Sequence, residues 1–208
     1  MSVTTIDSPL VGSKLSRLRA ETTGTDEFRR LLADVGTLLT PAATEFLPTE
    51  PVTVTTPLAN TQGVALVGGS PVLVSVLRAG NGLLDGVLRV ISDAEVGVIG
   101  LYRDEETLEA HQYLVRLPKL AGRQVIVVDP MLATGHSATA ALDIVAAEQP
   151  ASIVFMCLVA APEGIAELQS HHPDVRIVTA AIDSHLNDVG YIVPGLGDAG
   201  DRLFGTTG

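Results

Sequence analysis

Residues 125–137 read Val125-Ile126-Val127-Val128-Asp129-Pro130-Met131-Leu132-Ala133-Thr134-Gly135-His136-Ser137. Four apolar residues predict a buried strand, a carboxylate follows at its end, and a short loop of small polar residues leads into a predicted helix. Free backbone N–H groups at a helix N-terminus attract phosphate, and a nearby carboxylate can accept hydrogen bonds from sugar hydroxyls. The stretch fits a phosphosugar cradle, but its spacing fits an ordinary strand and a helix capped by Thr134 or Ser137 as well.

Apolar strands alternate with helices on both sides of this stretch. The predicted strands after residue 70 cover 72–77, 96–102, 125–128, 152–159 and 176–181, and the predicted helices cover 82–91, 137–148 and 162–171. Nearly continuous apolar strands joined by helices predict a parallel sheet covered on both faces. Ligands of such sheets bind beyond the carboxyl ends of the strands, so the chemistry is expected directly after each strand.

The first 70 residues show a different pattern. Apolar residues at helical spacing predict a helix over 26–39 after a short amphipathic stretch at 14–19, and Pro41 marks a break or a new helix start. Residues 52–56 predict a strand, and the sequence up to residue 69 suggests a hairpin-like extension. We therefore predict a single α/β domain over residues 1–208, with a parallel sheet flanked by helices, an N-terminal helical segment and a small β extension or hood.

Charge and composition exclude several classes of partner. The 208 residues contain 13 Lys and Arg against 24 Asp and Glu, a formal net charge of −11. An acidic surface repels nucleic-acid phosphates and anionic membranes. Aromatic residues make up only 3% of the chain and Trp is absent, which disfavours stacking platforms for single-stranded nucleic acid. A small anionic ligand held by a few local groups remains compatible with this charge.

The single cysteine and the N-terminus carry little functional signal. Cys157 has no partner for an intrachain disulfide or a cysteine metal cluster, and it lies in an apolar run typical of a buried strand. Residues 1–10 lack the basic and apolar regions of a signal peptide. The uncharged stretch 51–77 is too rich in Thr, Pro, Gly, Asn and Gln for a membrane span. We expect a soluble cytoplasmic protein.

Four segments in order resemble type I phosphoribosyltransferases. Residues 125–137 are similar to their motif for phosphoribosyl diphosphate (PRPP), and Asp129-Pro130, where most of these enzymes have two adjacent acids, is similar to the version in uracil phosphoribosyltransferases. The other segments are Leu77-Arg78-Ala79-Gly80, residues 102–107 (Tyr-Arg-Asp-Glu-Glu-Thr) and residues 190–202 (Gly-Tyr-Ile-Val-Pro-Gly-Leu-Gly-Asp-Ala-Gly-Asp-Arg). Residues 160–165 also match, and the resemblance extends from about residue 9 to residue 205.

The resemblance implies a fold and a reaction. It implies a type I phosphoribosyltransferase-like sheet, and transfer of the 5-phosphoribosyl group from PRPP to uracil, giving UMP and diphosphate in pyrimidine salvage. Mg²⁺ would arrive with PRPP, with no metal site of the protein's own. The resemblance also leaves room for a GTP effector. The helical N-terminal segment and the strand extension near residues 52–67 favour a homo-oligomer, a dimer or larger.

The resemblance assigns roles to residues of each motif. It places the catalytic roles at Asp129, Arg103 and Asp198, and uracil recognition at Ile192, Gly197, Asp198 and Ala199. PRPP contacts are implied for Arg78, Arg103, Asp129, Pro130, Met131, Leu132, Ala133, Thr134, Gly135, His136, Ser137 and Asp198.

The residues themselves support these assignments to different degrees. A guanidinium at a strand end can grip a diphosphate, but Arg78 fits a surface arginine near a helix start equally well. Composition alone favours a solvated, charged loop from Arg103 to Lys119, whereas the resemblance makes Arg103 a PRPP contact beside a closing lid. The glycine-rich run 190–205 can bring backbone amides and carbonyls to the edge of a uracil ring, or it can be a terminal turn with capping aspartates. No residue is a convincing general base, and Asp198 or a metal-bound water are the candidates.

Three positions depart from the family pattern. His136 stands where these enzymes usually have a second glycine, Asn81 replaces an apolar residue, and His111-Gln112 replaces a Pro-Val type of pair. His136 fits a surface imidazole pointing away, an added phosphate donor, a pH-sensitive modulator or a broken site. If its backbone required a positive φ, histidine would cost about 1 kcal/mol relative to glycine.

Two other classes of function stay open at this point. One is a non-catalytic regulatory relative that binds nucleotide or RNA, which the charge of −11 opposes unless arginines cluster on one face. The other is a phosphoribosyltransferase for a different base, because only the resemblance supports uracil.

Overall fold

A sheet of eight strands lies at the centre of the described part of the chain, which is residues 3–103 and 110–206 of this computed structural model. The strands are β1 (Val3–Thr5), β2 (Thr49–Thr55), β3 (Asn60–Leu66), β4 (Val72–Leu77), β5 (Val96–Arg103), β6 (Ala110–Arg116), β7 (Gln124–Val128), β8 (Met131–Leu132), β9 (Ser152–Ala160), β10 (Arg176–Ile182), β11 (His185–Leu186) and β12 (Ile192–Val193). The helices are α1 (Pro9–Arg19), α2 (Thr25–Thr44), α3 (Gly80–Leu88), α4 (His136–Ala147), α5 (Pro162–His171) and α6 (Ala199–Phe204).

The central sheet has the strand order β1, β10, β9, β7, β4, β5, β6, and β8 pairs with β9 beside this path. Every pairing is parallel except that of β5 with β6. The predicted α/β fold with a mostly parallel sheet flanked by helices is therefore confirmed. Because β4 and β7 are neighbours, the segments that follow their carboxyl ends meet at one edge of the sheet.

The sheet separates two apolar cores. On β7, Ile126 and Val128 face the core shared with α1, α2, α3 and α6, whereas Val125 and Val127 face the core shared with α4 and α5. This alternation is the period-2 pattern of a strand buried on both sides. It explains why residues 125–128 are all apolar and why the polar Asp129 follows only at the end of the strand.

Helix α2 differs from its sequence prediction because it continues through Pro41 to Thr44. Proline inside a helix costs about 3 kcal/mol through the lost hydrogen bond and the ring clash. Leu39 and Ala43, on either side of the proline, are both buried in the core. Their tertiary packing outweighs the local penalty, so the predicted break or new start at Pro41 is wrong.

Strands β2 and β3 form a separate antiparallel hairpin, in register from Thr49 opposite Leu66 to Thr55 opposite Asn60. This confirms the predicted hairpin-like extension, and most of its side chains are exposed. Strand β6 was not predicted, because the charged stretch after Arg103 indicated a loop up to Lys119. Residues 110–116 instead pair with β5, and the rest of the expected lid over 104–109 lies outside the described residues. None of the described helices combines the length and apolarity needed to cross a membrane.

Candidate active site

A cavity of about 420 Å³ opens at the carboxyl ends of β4 and β7. Three segments wall it: the turn after β4, the loop from β7 into α4, and the glycine-rich segment before α6. The lining residues are Val76, Leu77, Arg78, Ala79, Leu101, Asp129, Met131, Leu132, Ala133, Thr134, Gly135, Ser137, Ala138, Val189, Gly190, Tyr191, Ile192, Gly197, Asp198, Ala199 and Gly200. The structure thus brings the predicted segments after β4, after β7 and at 190–202 together around one space.

The turn after β4 places Arg78 at the mouth of the cavity. The peptide bond between Leu77 and Arg78 is cis. The Arg78 guanidinium lies 3.6 Å from Asp201 Oδ1 and 5.4 Å from the centre of the Phe204 ring, so α6 supports it from one side. Its side chain remains 55% exposed, which leaves guanidinium donors available to an anion in the cavity.

Asp129 follows the last residue of β7 and is half-buried at the cavity wall. Its backbone N–H donates to the Met156 carbonyl at 3.1 Å, and its Oδ1 accepts from the Met131 N–H at 3.2 Å. Burial raises the pKa of the Asp129 carboxyl to about 7, the Met131 N–H opposes this shift, and the Asp198 carboxylate adds to it. Asp129 therefore changes its protonation state near neutral pH.

The loop into α4 forms an anion cradle. Gly135 is the N-cap residue, with a φ of 88°, and no side chain caps this helix end. The alternative of an ordinary helix capped by Thr134 or Ser137 is therefore wrong, and these two residues line the cavity instead. The uncapped N–H groups and the positive end of the helix dipole provide the features that bind phosphate.

Residues 160–165, which also match the family resemblance, lead into α5 and contact the loop that forms the cradle. A Cβ at Gly164 would collide with the Ala133 carbonyl oxygen and would come within 2.8 Å of the Leu132 carbonyl oxygen. A Cβ at Gly135 would lie 2.8 Å from the Glu167 side chain and 2.9 Å from the Gly164 carbonyl oxygen. Gly135 and Gly164 thus allow α5 to pack in direct contact with the loop that forms the cradle.

Two of the predicted PRPP contacts lie off the cavity wall. Pro130 is buried, and its carbonyl accepts from the N–H groups of Leu158 and Val159 at 3.0 and 3.1 Å. His136 is the exposed first residue of α4. Among the described residues outside glycine, only Gln149 has a positive φ, so the left-handed penalty considered for His136 does not arise. Its imidazole occupies the surface.

Arg103 ends β5, where its backbone pairs with Ala110. Its side chain lies outside the described residues, so its predicted PRPP contact stays a prediction.

The glycine-rich segment supplies the opposite wall. Ile192 is the first residue of β12, and its side chain is buried in the core at 4% exposure, so it offers mainly backbone to the cavity. The Val193–Pro194 peptide bond is cis. Asp198 caps α6 by accepting from the Asp201 N–H at 2.8 Å. Gly197, Asp198 and Ala199 line the cavity together with Ile192, so all four predicted uracil contacts share one wall.

Several lining residues had no predicted role. Val76 and Leu101 come from the ends of β4 and β5, and Val189 and Tyr191 flank Gly190. Apolar residues at strand ends carry no chemical signal in a sequence. Among the described residues, no group of three or more His, Cys, Asp or Glu side chains is arranged to hold a metal ion.

Comparison with known proteins gives a consistent family assignment. The family model described as "Uracil phosphoribosyltransferase" matches residues 5–206. A curated uracil phosphoribosyltransferase from Acidovorax sp. (strain JS42) is 53% identical over 206 residues, 99% of each chain. Another from Legionella pneumophila (strain Lens) is 55% identical over 205 residues, covering 98% of this chain and 96% of the relative.

Solved structures agree. The AQ2163 protein from Aquifex aeolicus superposes with a TM-score of 0.94 at 37% identity, over 99% of both chains. A hypoxanthine-guanine phosphoribosyltransferase from Bacillus anthracis str. 'Ames Ancestor' has a TM-score of 0.51 at 13% identity, over 75% of this chain and 79% of its own, and shares the fold alone.

Proposed function

Because this chain belongs to the uracil phosphoribosyltransferase family, we propose that the cavity at the carboxyl ends of β4 and β7 is its active site. The chain is a phosphoribosyltransferase of pyrimidine salvage, which transfers the 5-phosphoribosyl group of PRPP to uracil and releases diphosphate. One observation carries the assignment to this cavity: an uncapped helix N-terminus, a strand-end carboxylate and a backbone-rich glycine segment line the same 420 Å³ space.

The cradle suits the 5′-phosphate of PRPP. Residues 133–137 would bind it through the backbone N–H groups of α4 and the hydroxyls of Thr134 and Ser137. Arg78 would bind the diphosphate at the cavity mouth, and Arg103 is proposed as a second contact with that group. The guanidinium fork matches phosphate oxygens, which suits Arg for this task.

Asp129 would bind the ribose hydroxyls between the two phosphate sites. Displacement at the anomeric carbon builds positive charge on the sugar, as in glycosyl transfer. A carboxylate fixed by the Met131 N–H favours that charge more in the transition state than in the ground state. This role requires the ionised form of Asp129, so activity should depend on pH around the raised pKa of about 7.

The glycine-rich wall suits the base. Uracil presents two carbonyl acceptors and two N–H donors in one plane, and backbone groups of Ile192, Gly197 and Ala199 can pair with that edge. Asp198 is the carboxylate of this wall. We assign it acceptance of the N1 proton, which uracil must lose as the new bond forms.

Mg²⁺ fits this cavity as part of the substrate. The cation usually keeps several waters and takes one or two carboxylates beside substrate phosphates, and the carboxylates of Asp129 and Asp198 line the same space. Bound to PRPP, it would neutralise the diphosphate leaving group. The protein's own part is to orient the PRPP with Arg78 and the cradle.

Four further features belong to the proposal. Residues 1–208 are proposed as one domain, because both apolar cores pack on one sheet. The β2–β3 hairpin supports a homo-oligomer, since a two-stranded ribbon with exposed valines is only marginally stable alone in water.

A cytoplasmic location fits a substrate as highly charged as PRPP, which bilayers exclude. GTP is proposed as an effector on the family resemblance alone.

The test is product formation with a panel of bases. Purified protein is incubated with PRPP, Mg²⁺ and uracil, hypoxanthine, guanine or orotate, and the nucleotide products are separated. UMP from uracil, with little product from the other bases, is the expected result. Absence of UMP across pH 6 to 9, or preference for another base, would overturn the proposal.

A further inference from the structure

A partly buried ion pair connects α1 to the glycine-rich wall. Arg19 is the last residue of α1, and Asp183 directly follows β10. The guanidinium donates from Nη2 to Asp183 Oδ1 at 2.6 Å and from Nη1 to Asp183 Oδ2 at 2.7 Å. The Asp183 side chain is only 5% exposed and the Arg19 side chain 23%, so water competes weakly for this bidentate pair.

Both members of the pair also bind the backbone of Gly195. Arg19 Nη1 donates to the Gly195 carbonyl oxygen at 2.7 Å, and the Gly195 N–H donates to Asp183 Oδ2 at 2.8 Å. Gly195 lies between Ile192 and Gly197, which line the cavity. The pair therefore fixes the peptide groups at the middle of the proposed uracil wall, although neither charged side chain lines the cavity.

A second arginine, Arg202, connects the residue after Gly195 to the C-terminal end of α1. Arg202 donates to the Leu196 carbonyl at 2.9 Å and to the Ala20 carbonyl at 2.6 Å, and it lies 4.6 Å from the centre of the Phe28 ring. Two consecutive residues of the wall are thus tied to the C-terminal end of α1. Hydrogen bonds to this end of α1 therefore fix the backbone of the wall at Gly195 and Leu196.

We propose that Arg19 and Asp183 are positioning residues that set the affinity for uracil by holding residues 192–198 in the binding geometry. The inference rests on the proposed function of the cavity. Uracil carries no charge, so the backbone groups of this wall must recognise it through the geometry of their hydrogen bonds. If residues 192–198 were mobile in the free protein, they would have to become ordered when uracil binds. The conformational entropy lost in that step would weaken the binding of uracil. PRPP contacts mainly the cradle and Arg78. Its further contact, Asp198, lies at the far end of the wall and is fixed by its own hydrogen bond from the Asp201 N–H at 2.8 Å, so the affinity for PRPP should depend far less on the pair.

The main variant is Arg19→Met, which keeps an unbranched apolar stem and removes the guanidinium donors. Because hydrogen bonds to charged groups contribute substantially when buried, the KM for uracil should rise about tenfold or more, whereas the KM for PRPP should change much less. Asp183→Asn should act in the same direction, and the double variant should be no worse than the more damaging single one. Arg19→Lys keeps the charge without the fork, so it should restore part of the uracil affinity.

Arg17→Met is the matched control. Arg17 lies two residues earlier on α1, is exposed, and pairs with Glu27 on the surface. Neither KM should change in this variant. Wild-type protein serves as the second control, because the proposed function fails if wild type forms no UMP. If wild type is active and Arg19→Met has a normal KM for uracil, only this inference is overturned. An equal rise in both KM values would also overturn it, since that is the result of general loosening.

Hydrogen exchange gives a readout that does not depend on activity. In wild-type protein, the Gly195 amide should exchange more slowly than exposed amides of the same segment. In Arg19→Met and Arg19→Lys, exchange over 192–198 should accelerate while residues 133–137 keep their wild-type rates. Unchanged protection of the Gly195 amide in both variants would contradict the proposal.

Discussion

Gly164 lies directly against the carbonyl oxygen of Ala133, with no room between them for a side chain. This contact connects the first turn of α5 to the loop that enters α4, so the shape of the phosphate cradle depends on a residue that does not line the cavity.

Gly164→Ala is therefore expected to displace the cradle. The added methyl group must move the backbone at 132–133, and overpacking of this kind costs about 1–3 kcal/mol of unfolding free energy. The KM for PRPP should rise, whereas the KM for uracil should change less. Steady-state kinetics and denaturant unfolding measure the two effects.

Gly12→Ala is the control for that prediction. A Cβ at Gly12 meets no atom within 4 Å, and Gly12 lies inside α1. Alanine should stabilise the protein there by about 0.5–1 kcal/mol through helix propensity. Gly164→Ala without any loss of stability or of PRPP affinity would show that the cradle does not depend on this contact.

Asp129→Asn should alter the pH dependence of stability. The carboxyl has a pKa of about 7 in the folded protein against its ordinary value of 3.8, so between about pH 4 and pH 7 the folded state binds the extra proton. Stability from this group is present at low pH and is lost as the pH rises through about 7. The variant should therefore lose less stability than wild type between pH 4 and pH 7, as measured by thermal unfolding. Parallel curves for the two proteins would contradict the raised pKa.

The same substitution should lower turnover strongly in a protein that stays folded. In wild type, kcat/KM for PRPP should increase as Asp129 ionises near pH 7, because the anion supports the developing sugar charge. Asp129→Asn should lack this increase. Near-normal turnover in the variant would remove the role assigned to Asp129.

Arg78→Met should produce the opposite selectivity to Arg19→Met. Arg78 lies at the cavity mouth beside Asp201 and Phe204, where it would bind the diphosphate. The KM for PRPP should rise and the KM for uracil should stay close to that of wild type in initial-rate measurements at saturating co-substrate. A rise confined to uracil would place the diphosphate elsewhere.

His136→Ala should leave the KM for PRPP unchanged. His136 is exposed on the first turn of α4 and does not line the cavity. The same initial-rate assay checks this, and a large loss of PRPP affinity would show instead that the imidazole binds the phosphate.

The sequence predicted the part of the site that is local. The strand ending at Val128, the carboxylate after it and the glycine before α4 are contiguous, so period, burial and helix-end chemistry can be interpreted together. Pro41 misled the prediction because local propensity there is outweighed by burial of Leu39 and Ala43. Strand β6 was missed because its charged surroundings resemble those of a loop.

The support of the uracil wall could not be predicted in the same way. Arg19 and Asp183 are separated by 164 residues, and neither lies in an unusual local sequence. Only the parallel sheet, which brings the end of β10 beside α1, makes them neighbours. The conformation of His136 could not be predicted from the sequence either, because it depends on which residue of the loop has a positive φ. In the structure that residue is Gly135.

The most direct test of the assigned cavity is a crystal structure of the protein bound to UMP. We expect the 5′-phosphate at residues 133–137, the ribose hydroxyls at Asp129, and the uracil edge against Ile192 and residues 197–199. UMP bound with its phosphate away from the N-terminus of α4, or with its base outside this cavity, would show that the active site lies elsewhere.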